Sequence, residues 1–398
     1  AVWTSFNPGP TGFNLYEQRY IDPTVAVLGT NNPAFNTDPN SNPNSVDAVA
    51  VGAAVLPTPP VAPILTSDRG AADSIIDVKG TYDGLVADST NVTGDTAGYI
   101  AITISTKAQG SFSAKLQMGG QKYSFSGLVD ASGAFTLTKP VNGLQINLAV
   151  DLQGGDQITG TISTGGPALA VLANRAVYTR SHPAPYVGNY TMVMQPIDSS
   201  MGNGVGTVAV DKLGNVKWML TLADGTKIGQ STTLAKDGSW PLYSQPYKNG
   251  GVAIGRMMFN ANPTNGFNGQ CVWIKPGGSS VYPGGLTNSL NVIGSPFKPV
   301  PSAFFHPFGA SKIVLSGGGL SSPMTNTVTW SNNKVSSGSA LKLNVNHKSG
   351  LFQGTVAVAP GKGGSVPIQG VLFEKDNVGL GFFLGAGQSG TVTFGPNN

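Results

Sequence analysis

The feature that most constrains this chain is an internal repeat of short alternating strands separated by glycine turns. One copy starts at residue 101 and reads AITISTKAQG-SFSAKLQMGGQKYSFSG-LVDASGAFTLT, and a second starts at residue 206 and reads GTVAVDKLG-NVKWMLTLADGTKIGQ-STTLAKDGSWPLY. Their turn glycines lie 104 or 105 residues apart and pair as Gly110 with Gly214, Gly120 with Gly225, and Gly133 with Gly238. A looser third copy over residues 341–383 puts Gly350 in the place of Gly110. Polar and apolar residues that alternate between glycine turns are typical of antiparallel sheet.

Each copy is predicted to form a β-meander with one buried face. In the first copy the side chains expected to point inward are Phe112, Ala114, Leu116, Tyr123 and Phe125. A sheet with one apolar face must close on itself or pack on a second sheet. The sequence therefore predicts an all-β fold of antiparallel meander modules in tandem, each a barrel or a sandwich.

The composition agrees with a chain that is poor in helix. Only 11% of the residues are charged, and two of the 19 acidic residues are glutamate. Helix surfaces are usually rich in Glu, Lys and Arg, so this composition disfavours long helices. The repeat places a first module over residues 75–180 and a second over residues 186–398. A proline-rich break lies at residues 296–307, so residues 308–398 are either a third module or the remaining strands of a larger second one, and the sequence does not decide between the two.

Residues 1–74 differ from the rest and are predicted to form an extended, irregular arm. Proline, asparagine and glycine recur there at a density that interrupts helices and strands. Residues 45–56, SVDAVAVGAAVL, are the exception, because they are apolar and contain no proline. This segment is predicted to be an assembly strand that pairs with a sheet of another copy. Its apolar residues are Val46, Val49, Val51, Val55 and Leu56.

Charge is distributed unevenly along the chain. Residues 1–100 have a balance of −7, whereas residues 239–398 have a balance of +8. Such asymmetry fits head-to-tail contact between copies, in which opposite charges steer association, but it equally fits incidental surface charge. The lysines of the basic part are single and widely spaced, so nucleic acid is not an expected partner.

The terminus and the thiol content favour an exported protein. The chain begins with a small residue, Ala1, as chains do after removal of a signal peptide, and it contains one cysteine, Cys271. No apolar run approaches the roughly 20 residues of a transmembrane helix. An extracellular or cell-surface location is therefore expected.

No arrangement of residues in the sequence points to catalysis, so no catalytic residue or cofactor is expected. The histidines His182, His306 and His347 lie in linker-like or turn segments, and Cys271 lies in an apolar strand. A glycosidase needs two suitably placed carboxylates, whereas most aspartates here occupy turn signatures. Calcium is the one ion worth considering, because six aspartates crowd the start of the first module without EF-hand spacing. They are Asp68, Asp73, Asp77, Asp83, Asp88 and Asp95.

Aromatic residues in the second half suggest an alternative function. An exposed set of Trp and Tyr rings could stack on sugars, although packing in a barrel core explains the same residues. The rings considered for this aromatic ligand face are Trp240, Tyr243, Trp273 and Trp330.

Three segments carry a resemblance to known proteins. LADGTKIGQSTTLAKDGSWPLY, GQCVWIKP and VGLGFFLGAGQSGTVTF resemble β-rich repeat modules of large exported surface proteins of Verrucomicrobia-type bacteria. The resemblance covers residues 75–398 and implies secretion and a β fold, but no ligand and no site residues.

These observations together predict a non-enzymatic, exported structural subunit. It is expected to assemble head to tail through its N-terminal arm into a filament or a surface layer, with copies of itself as partners. The alternative is a cell-surface carbohydrate-binding or adhesive module with surface glycans as partners. A polysaccharide-active enzyme is the least favoured of the three.

Overall fold

The computed structural model describes residues 77–397, apart from residues 89, 106–109, 142, 155, 198–200, 249, 302–308, 332–333, 339, 358–363 and 374–375. The described residues form three antiparallel sheets of eight strands each, which follow one another along the chain and are called barrels 1, 2 and 3 here. The only helix among them is a single 3-10 turn over Pro263–Asn265. The predicted all-β fold in tandem modules is confirmed.

The strand bounds are as follows. Barrel 1 contains β1 Gly80–Ala87, β2 Ala97–Ser105, β3 Ser111–Met118, β4 Gln121–Val129, β5 Phe135–Leu137, β6 Gln145–Val150, β7 Gln157–Ser163 and β8 Leu169–Arg175. Barrel 2 contains β9 Gly188–Pro196, β10 Gly204–Val210, β11 Asn215–Thr221, β12 Lys227–Thr233, β13 Ser239–Ser244, β14 Val252–Phe259, β15 Phe267–Lys275 and β16 Leu286–Pro296. Barrel 3 contains β17 Ser311–Gly317, β18 Met324–Ser331, β19 Lys334–Ser337, β20 Leu341–Val345, β21 Leu351–Ala357, β22 Ser365–Phe373, β23 Val378–Leu384 and β24 Ser389–Pro396.

All three sheets share one up-and-down topology. Successive strands pair along each sheet, and the first strand also pairs with the eighth, so β1 pairs with β8, β9 with β16, and β17 with β24. Barrel 3 is closed. In barrel 1, β5 and β6 lie at opposite ends of the sheet and are linked through one bridge between Ala134 and Ala149. In barrel 2, β12 and β13 occupy the corresponding ends.

The repeat seen in the sequence corresponds to equivalent strands of barrels 1 and 2. Gly110 and Gly214 each precede the third strand of their barrel, and all six paired turn glycines have φ between 74° and 87°, where an L side chain is strained. The first strands of barrels 1 and 2, β1 and β9, also share a hydrogen bond from a tyrosine to the carbonyl four residues before it. Tyr82 donates its hydroxyl hydrogen to the carbonyl of Val78 at 2.6 Å, and Tyr190 donates to the carbonyl of Tyr186 at 2.8 Å.

The third copy is equivalent to the other two in its turn but not in its position. Gly350 has a φ of 72° and precedes β21, which is the fifth strand of barrel 3. Gly110 instead precedes β3, the third strand of barrel 1. Gly350 therefore lies two strands later in its barrel than the sequence repeat predicts. The alternation of a meander repeats every two strands, and a two-strand shift therefore leaves the local pattern unchanged.

Each barrel is filled by its own apolar core. Phe112, Ala114, Leu116 and Phe125 are buried as expected, and Tyr123 is half-buried against the same cluster. Barrel 2 encloses three tryptophans, Trp218, Trp240 and Trp273, each with about 1% or less of its surface exposed. The interiors of the barrels are thus packed with side chains, and the surfaces that remain are the outer faces and the two junctions between barrels.

Candidate functional site

Barrels 1 and 2 meet at an apolar junction, called junction 1. The outward faces of β1 and β2 pack on the outward faces of β13 and β14, and Val272 of β15 belongs to the same apolar cluster. The buried residues of this cluster include Leu85, Ala87 and Tyr99 from barrel 1 and Tyr243, Val252, Ile254 and Val272 from barrel 2.

Barrels 2 and 3 meet in a similar way at junction 2. Here the outward faces of β9 and β10 pack on those of β22 and β23. The buried residues are Val193 and Val205 from barrel 2 and Val371, Phe373 and Phe382 from barrel 3. In both junctions the first two strands of one barrel dock on late strands of the next.

The loops that approach the next barrel are equivalent as well. Gly94 lies between the first and second strands of barrel 1, and a Cβ there would overlap the backbone of Gly250 in barrel 2. Gly202 lies between the first and second strands of barrel 2, and a Cβ there would overlap the backbone of Gly390 in barrel 3. Each junction therefore requires a glycine that no turn signature in the sequence marks.

The hairpin turns after the third strands touch the next barrel too. The backbone N–H of Gly120 donates to Oε1 of Gln245 in barrel 2 at 2.8 Å. Gly225, its counterpart, lies beside the side chain of Leu384 in barrel 3. The repeat thus extends from the barrels to the way in which they are joined.

A buried carboxylate at junction 1 is held by neutral groups. Asp83 accepts hydrogen bonds from the hydroxyl of Tyr99 at 2.7 Å and from the hydroxyl of Thr233, across the junction, at 2.8 Å. Burial and the neighbouring Asp83 charge raise the pKa of Tyr99 well above its usual range. The phenol therefore stays protonated and remains a donor to Asp83 at any ordinary pH.

A second buried carboxylate, near junction 2, is held by a cation. Asp224 pairs with Lys275 at 2.8 Å, and both side chains are almost fully buried. The same carboxylate accepts hydrogen bonds from the hydroxyl of Tyr247 at 2.8 Å and from Thr226. Trp273 donates in turn to the Tyr247 oxygen at 3.1 Å. Burial tends to raise the pKa of Asp224, but Lys275 and these hydrogen bonds outweigh it and hold the pKa below its ordinary value.

Further hydrogen bonds tie barrel 2 to barrel 3. The hydroxyl of Thr191 donates to the carbonyl of Leu372 at 2.8 Å, and the backbone N–H of Tyr282 donates to the carbonyl of Gly387 at 2.8 Å. The hydroxyl of Tyr282 also bonds to the hydroxyl of Ser389. These contacts, with the apolar cluster, fix the two barrels against each other along one side of junction 2.

The other side of junction 2 is an open groove, and it is the candidate functional site. A cavity of about 330 Å³ lies between strands β10–β12 of barrel 2 and β20–β22 of barrel 3, and a second of about 230 Å³ adjoins it. Both are lined by Thr207 and Met219, so the two cavities adjoin, and together they are called the junction groove here. Met219 is 62% exposed, the second most exposed large apolar side chain among the described residues.

The aromatic ligand face expected from the sequence is not formed by the residues proposed for it. Trp240, Tyr243 and Trp273 are almost completely buried, the first and third in the core of barrel 2 and the second in junction 1. Trp330 is half-buried and stacks on Phe394 with a centroid distance of 5.4 Å. Packing explains all four rings, because each sits on an inward or junction-facing position of its strand.

The residues considered for chemistry are dispersed. Cys271 is buried, and burial raises its pKa to about 12, so it is held as the thiol. His347 bonds to the carbonyl of Val300 at 2.6 Å, and His182 lies in the linker between barrels 1 and 2, whereas His306 lies outside the described residues. Neither described histidine is hydrogen-bonded to the cysteine or to a carboxylate.

Two of the aspartates considered for calcium have separate roles. Asp83 is bound within junction 1, and Asp88 accepts from Thr90 and Asn91 in its own loop, which lowers its pKa. No group of three His, Cys, Asp or Glu side chains suited to a metal occurs in the part of the chain that the structure covers. Asp68, Asp73 and the assembly strand with Val46, Val49, Val51, Val55 and Leu56 lie outside the described residues.

Within the described ranges, no helix is long and apolar enough to cross a membrane.

Comparisons with known proteins give no family. No protein-family model and no curated protein matches the chain. Among solved structures, the isotype 1 transferrin binding protein B of serogroup B Neisseria meningitidis is similar over 80% of this chain and 76% of its own, at 12% identity and a TM-score of 0.18. A Trp-176-Ala mutant of transferrin binding protein B from Haemophilus parasuis covers 80% of this chain and 75% of its own, at 11% identity and a TM-score of 0.19.

A third similar structure is a protein of unknown function from Nostoc punctiforme. It covers 57% of this chain and 98% of its own, at 10% identity and a TM-score of 0.17. At such low identity and TM-scores, none of the three similarities bears on the function of this chain.

Proposed function

We propose that this chain is a non-enzymatic, exported structural subunit that associates with further copies through its N-terminal arm. The observation that carries the proposal is an open strand edge in barrel 1. β5 has three residues and pairs with β4 only over Gly127–Val129, so Gln121–Phe125 of β4 has no strand partner on that side among the described residues. An exposed edge of this kind is a template for pairing with an added strand.

The corresponding edges of the other barrels are unsuited to accept a strand. Barrel 3 is closed. In barrel 2 the ends of the sheet are covered by barrel 1, since Thr233 of β12 bonds to Asp83 and Ser239 of β13 accepts from the amide of Asn174 at 3.0 Å. Among the described residues, the opening between the two ends of the barrel 1 sheet therefore remains for an added strand, and a single repeated contact is what an open assembly needs.

Stacking of whole barrels does not offer a second route to assembly. The sixth and seventh strands receive the preceding barrel at both junctions with apolar outward residues, whereas β6 and β7 present Gln145, Asn147, Thr159 and Thr161. The outer face of β18, the second strand of barrel 3, is also polar, because Thr325, Thr327 and Thr329 are exposed there. Polar outer faces are how tandem arrays are terminated, so these faces are not expected to stack on a further barrel.

The apolar residues of the arm suit the open edge. Val49, Val51 and Val55 would share one face of an added strand, and burial of each would contribute roughly 1.5–3 kcal/mol before the cost of ordering the arm. The flanking charges contribute less, because exposed ion pairs are worth only about 0–1 kcal/mol. Added salt should therefore weaken the assembly without dissolving it.

The test is the molar mass of the full chain and of its variants in solution, measured by light scattering over a concentration series. The full chain should form polymers, and deletion of residues 1–66 should yield a folded monomer. Val49→Asp with Val51→Asp should also yield monomer, whereas Ala48→Asp with Ala50→Asp, on the opposite face of the strand, should have a smaller effect. Polymerisation of the deleted protein, or a full chain that stays monomeric at every concentration, would refute the proposal.

A further inference from the structure

The junction groove is lined by two chemically different walls. Barrel 2 contributes Met219, Thr207 and Thr221, and barrel 3 contributes a row of amide side chains. The row consists of Asn344 on β20, Gln353 on β21 and Gln369 on β22. Asn344 is in direct register with Gln353, and Gln353 with Gln369, so the three side chains stand side by side across neighbouring strands.

This amide row is suited to a ligand rich in hydroxyl groups. Each amide can donate and accept hydrogen bonds at the same time, as a sugar hydroxyl also can. Neighbouring strands lie about 4.8 Å apart, so Gln353 and Gln369 offer donor and acceptor pairs at that spacing. The exposed Met219 and the half-buried Leu351 add apolar surface against which the C–H face of a sugar ring can pack.

The charges along the groove have one sign. Lys227 lines the larger cavity, and Lys217 and Lys348 line the smaller one, while neither cavity is lined by a carboxylate. None of the three lysines forms an ion pair with an acidic residue in the described part of the chain. A ligand with repeated negative charges would therefore be attracted to both parts of the groove.

The backbone of the groove walls argues against an added peptide strand. β10, β11, β20, β21 and β22 are each paired with a neighbour on both sides, so their backbone groups are already used in the sheets. A peptide that binds by strand addition needs a free edge. Recognition in this groove must therefore come from side chains, as it does for saccharides.

We infer that the junction groove binds an acidic polysaccharide, with the amide row holding hydroxyl groups and the lysines holding carboxylate or sulfate groups. The inference does not depend on the arm, because the groove lies wholly within barrels 2 and 3. It assigns a binding site to a part of the molecule that the proposed assembly leaves unoccupied.

The test is binding of the full chain to soluble polymers, measured by isothermal titration calorimetry. Polygalacturonate, a polyuronate, should bind with an affinity that falls as salt is added, and neutral dextran should not bind measurably. Gln353→Leu with Gln369→Leu should weaken polygalacturonate binding about tenfold, the effect of losing two neutral hydrogen bonds. Lys217→Glu should weaken it several-fold through charge repulsion.

The matched control is Lys115→Glu. Ser113 and Lys115 of β3 occupy the same places in barrel 1 as Lys217 and Met219 of β11 in barrel 2, but no amide row faces them. This variant should bind polygalacturonate like the unmodified chain, and all variants should keep its thermal unfolding midpoint. Absence of polygalacturonate binding, or binding that the amide variants leave unchanged, would overturn the inference. Equally tight binding of polyglutamate through the same residues would instead identify an acidic peptide as the ligand and also overturn it.

Discussion

Junction 1 and junction 2 join equivalent strands of successive barrels, yet they differ in what surrounds their apolar centres. At junction 1 polar side chains lie within the contact itself, because Asp83 accepts hydrogen bonds from Tyr99 of its own barrel and from Thr233 of the next. At junction 2 the buried carboxylate, Asp224, is neutralised within barrel 2 through Lys275. The groove beside junction 2 then stays open and is lined by amides and lysines.

The difference separates two tasks that a junction can have. Junction 1 covers the open ends of the barrel 2 sheet, so its polar contacts are structural. Junction 2 connects two sheets of which one is already closed, and its outer side is free to present side chains to a ligand. Equivalent barrels can therefore pack through the same strands while the exposed residues around the contact differ.

The largest expected effect comes from breaking the ion pair near junction 2. Lys275→Ala leaves the Asp224 carboxylate buried without its cation, and we expect the free energy of unfolding of barrel 2 to fall by about 3–5 kcal/mol. Denaturant unfolding followed by tryptophan fluorescence reports on this barrel, since Trp218, Trp240 and Trp273 all lie in its core. Lys212→Ala, at an exposed turn of the same barrel, should change stability by no more than about 0.5 kcal/mol. Equal effects of the two variants would show that Lys275 is not a structural partner.

A smaller loss is expected when junction 1 loses a neutral donor. Tyr99→Phe removes one of two hydrogen bonds to the buried Asp83 and should cost about 1–3 kcal/mol. Tyr123→Phe, at a half-buried position with no hydrogen bond to a buried carboxylate, is the control and should cost less. If Tyr99→Phe left the free energy of unfolding unchanged in denaturant unfolding, the polar contacts of junction 1 would not stabilise it as stated here.

The two equivalent hairpin turns allow a direct comparison of the junctions. Gly120 and Gly225 have φ of 74° and 86°, so Gly120→Val and Gly225→Val should each cost more than about 1 kcal/mol. The cost should be greater at Gly225, because a Cβ there meets Leu384 at 3.4 Å, whereas none of the described atoms lies within 4 Å of a Cβ on Gly120. Gly166→Val, in an open turn without positive φ, serves as the reference in thermal unfolding. A Gly120 variant that is the more damaging of the pair would contradict the comparison.

The smallest effect is expected in the dependence of stability on pH. The folded pKa of Asp224 lies below its ordinary value, so its contribution to stability is complete above the unfolded value of about 3.9 and is lost as pH falls through the folded value. Asp224→Asn should therefore reduce the loss of stability between pH 5 and pH 2 in acid titrations of denaturant unfolding. An unchanged acid limb in this variant would show that Lys275 does not hold the carboxylate ionised.

Much of the fold was predictable because the repeat and its glycine turns are local features. Gly120, Gly225 and their partners mark the hairpins, and alternation identified the inward residues Phe112, Leu116 and Phe125. The last strand of barrel 2, β16, ends at Pro296, and the first strand of barrel 3, β17, starts at Ser311. The candidate site was not predictable in the same way, since Met219 and Gln353 lie more than 130 residues apart and neither belongs to a motif.

The sequence by itself determined the strand pattern, the turn positions and the tandem order of the modules, because backbone strain at glycine and the period of two in a strand act over a few residues. The tertiary structure alone decided that the sheets close as barrels, that Trp240, Tyr243 and Trp273 fill cores and junctions, and that Gly94 and Gly202 are points of close contact. It also brought the amide row of barrel 3 opposite Met219 of barrel 2. Such features depend on which faces of distant strands meet, and burial of apolar surface selects those faces only when the whole chain packs.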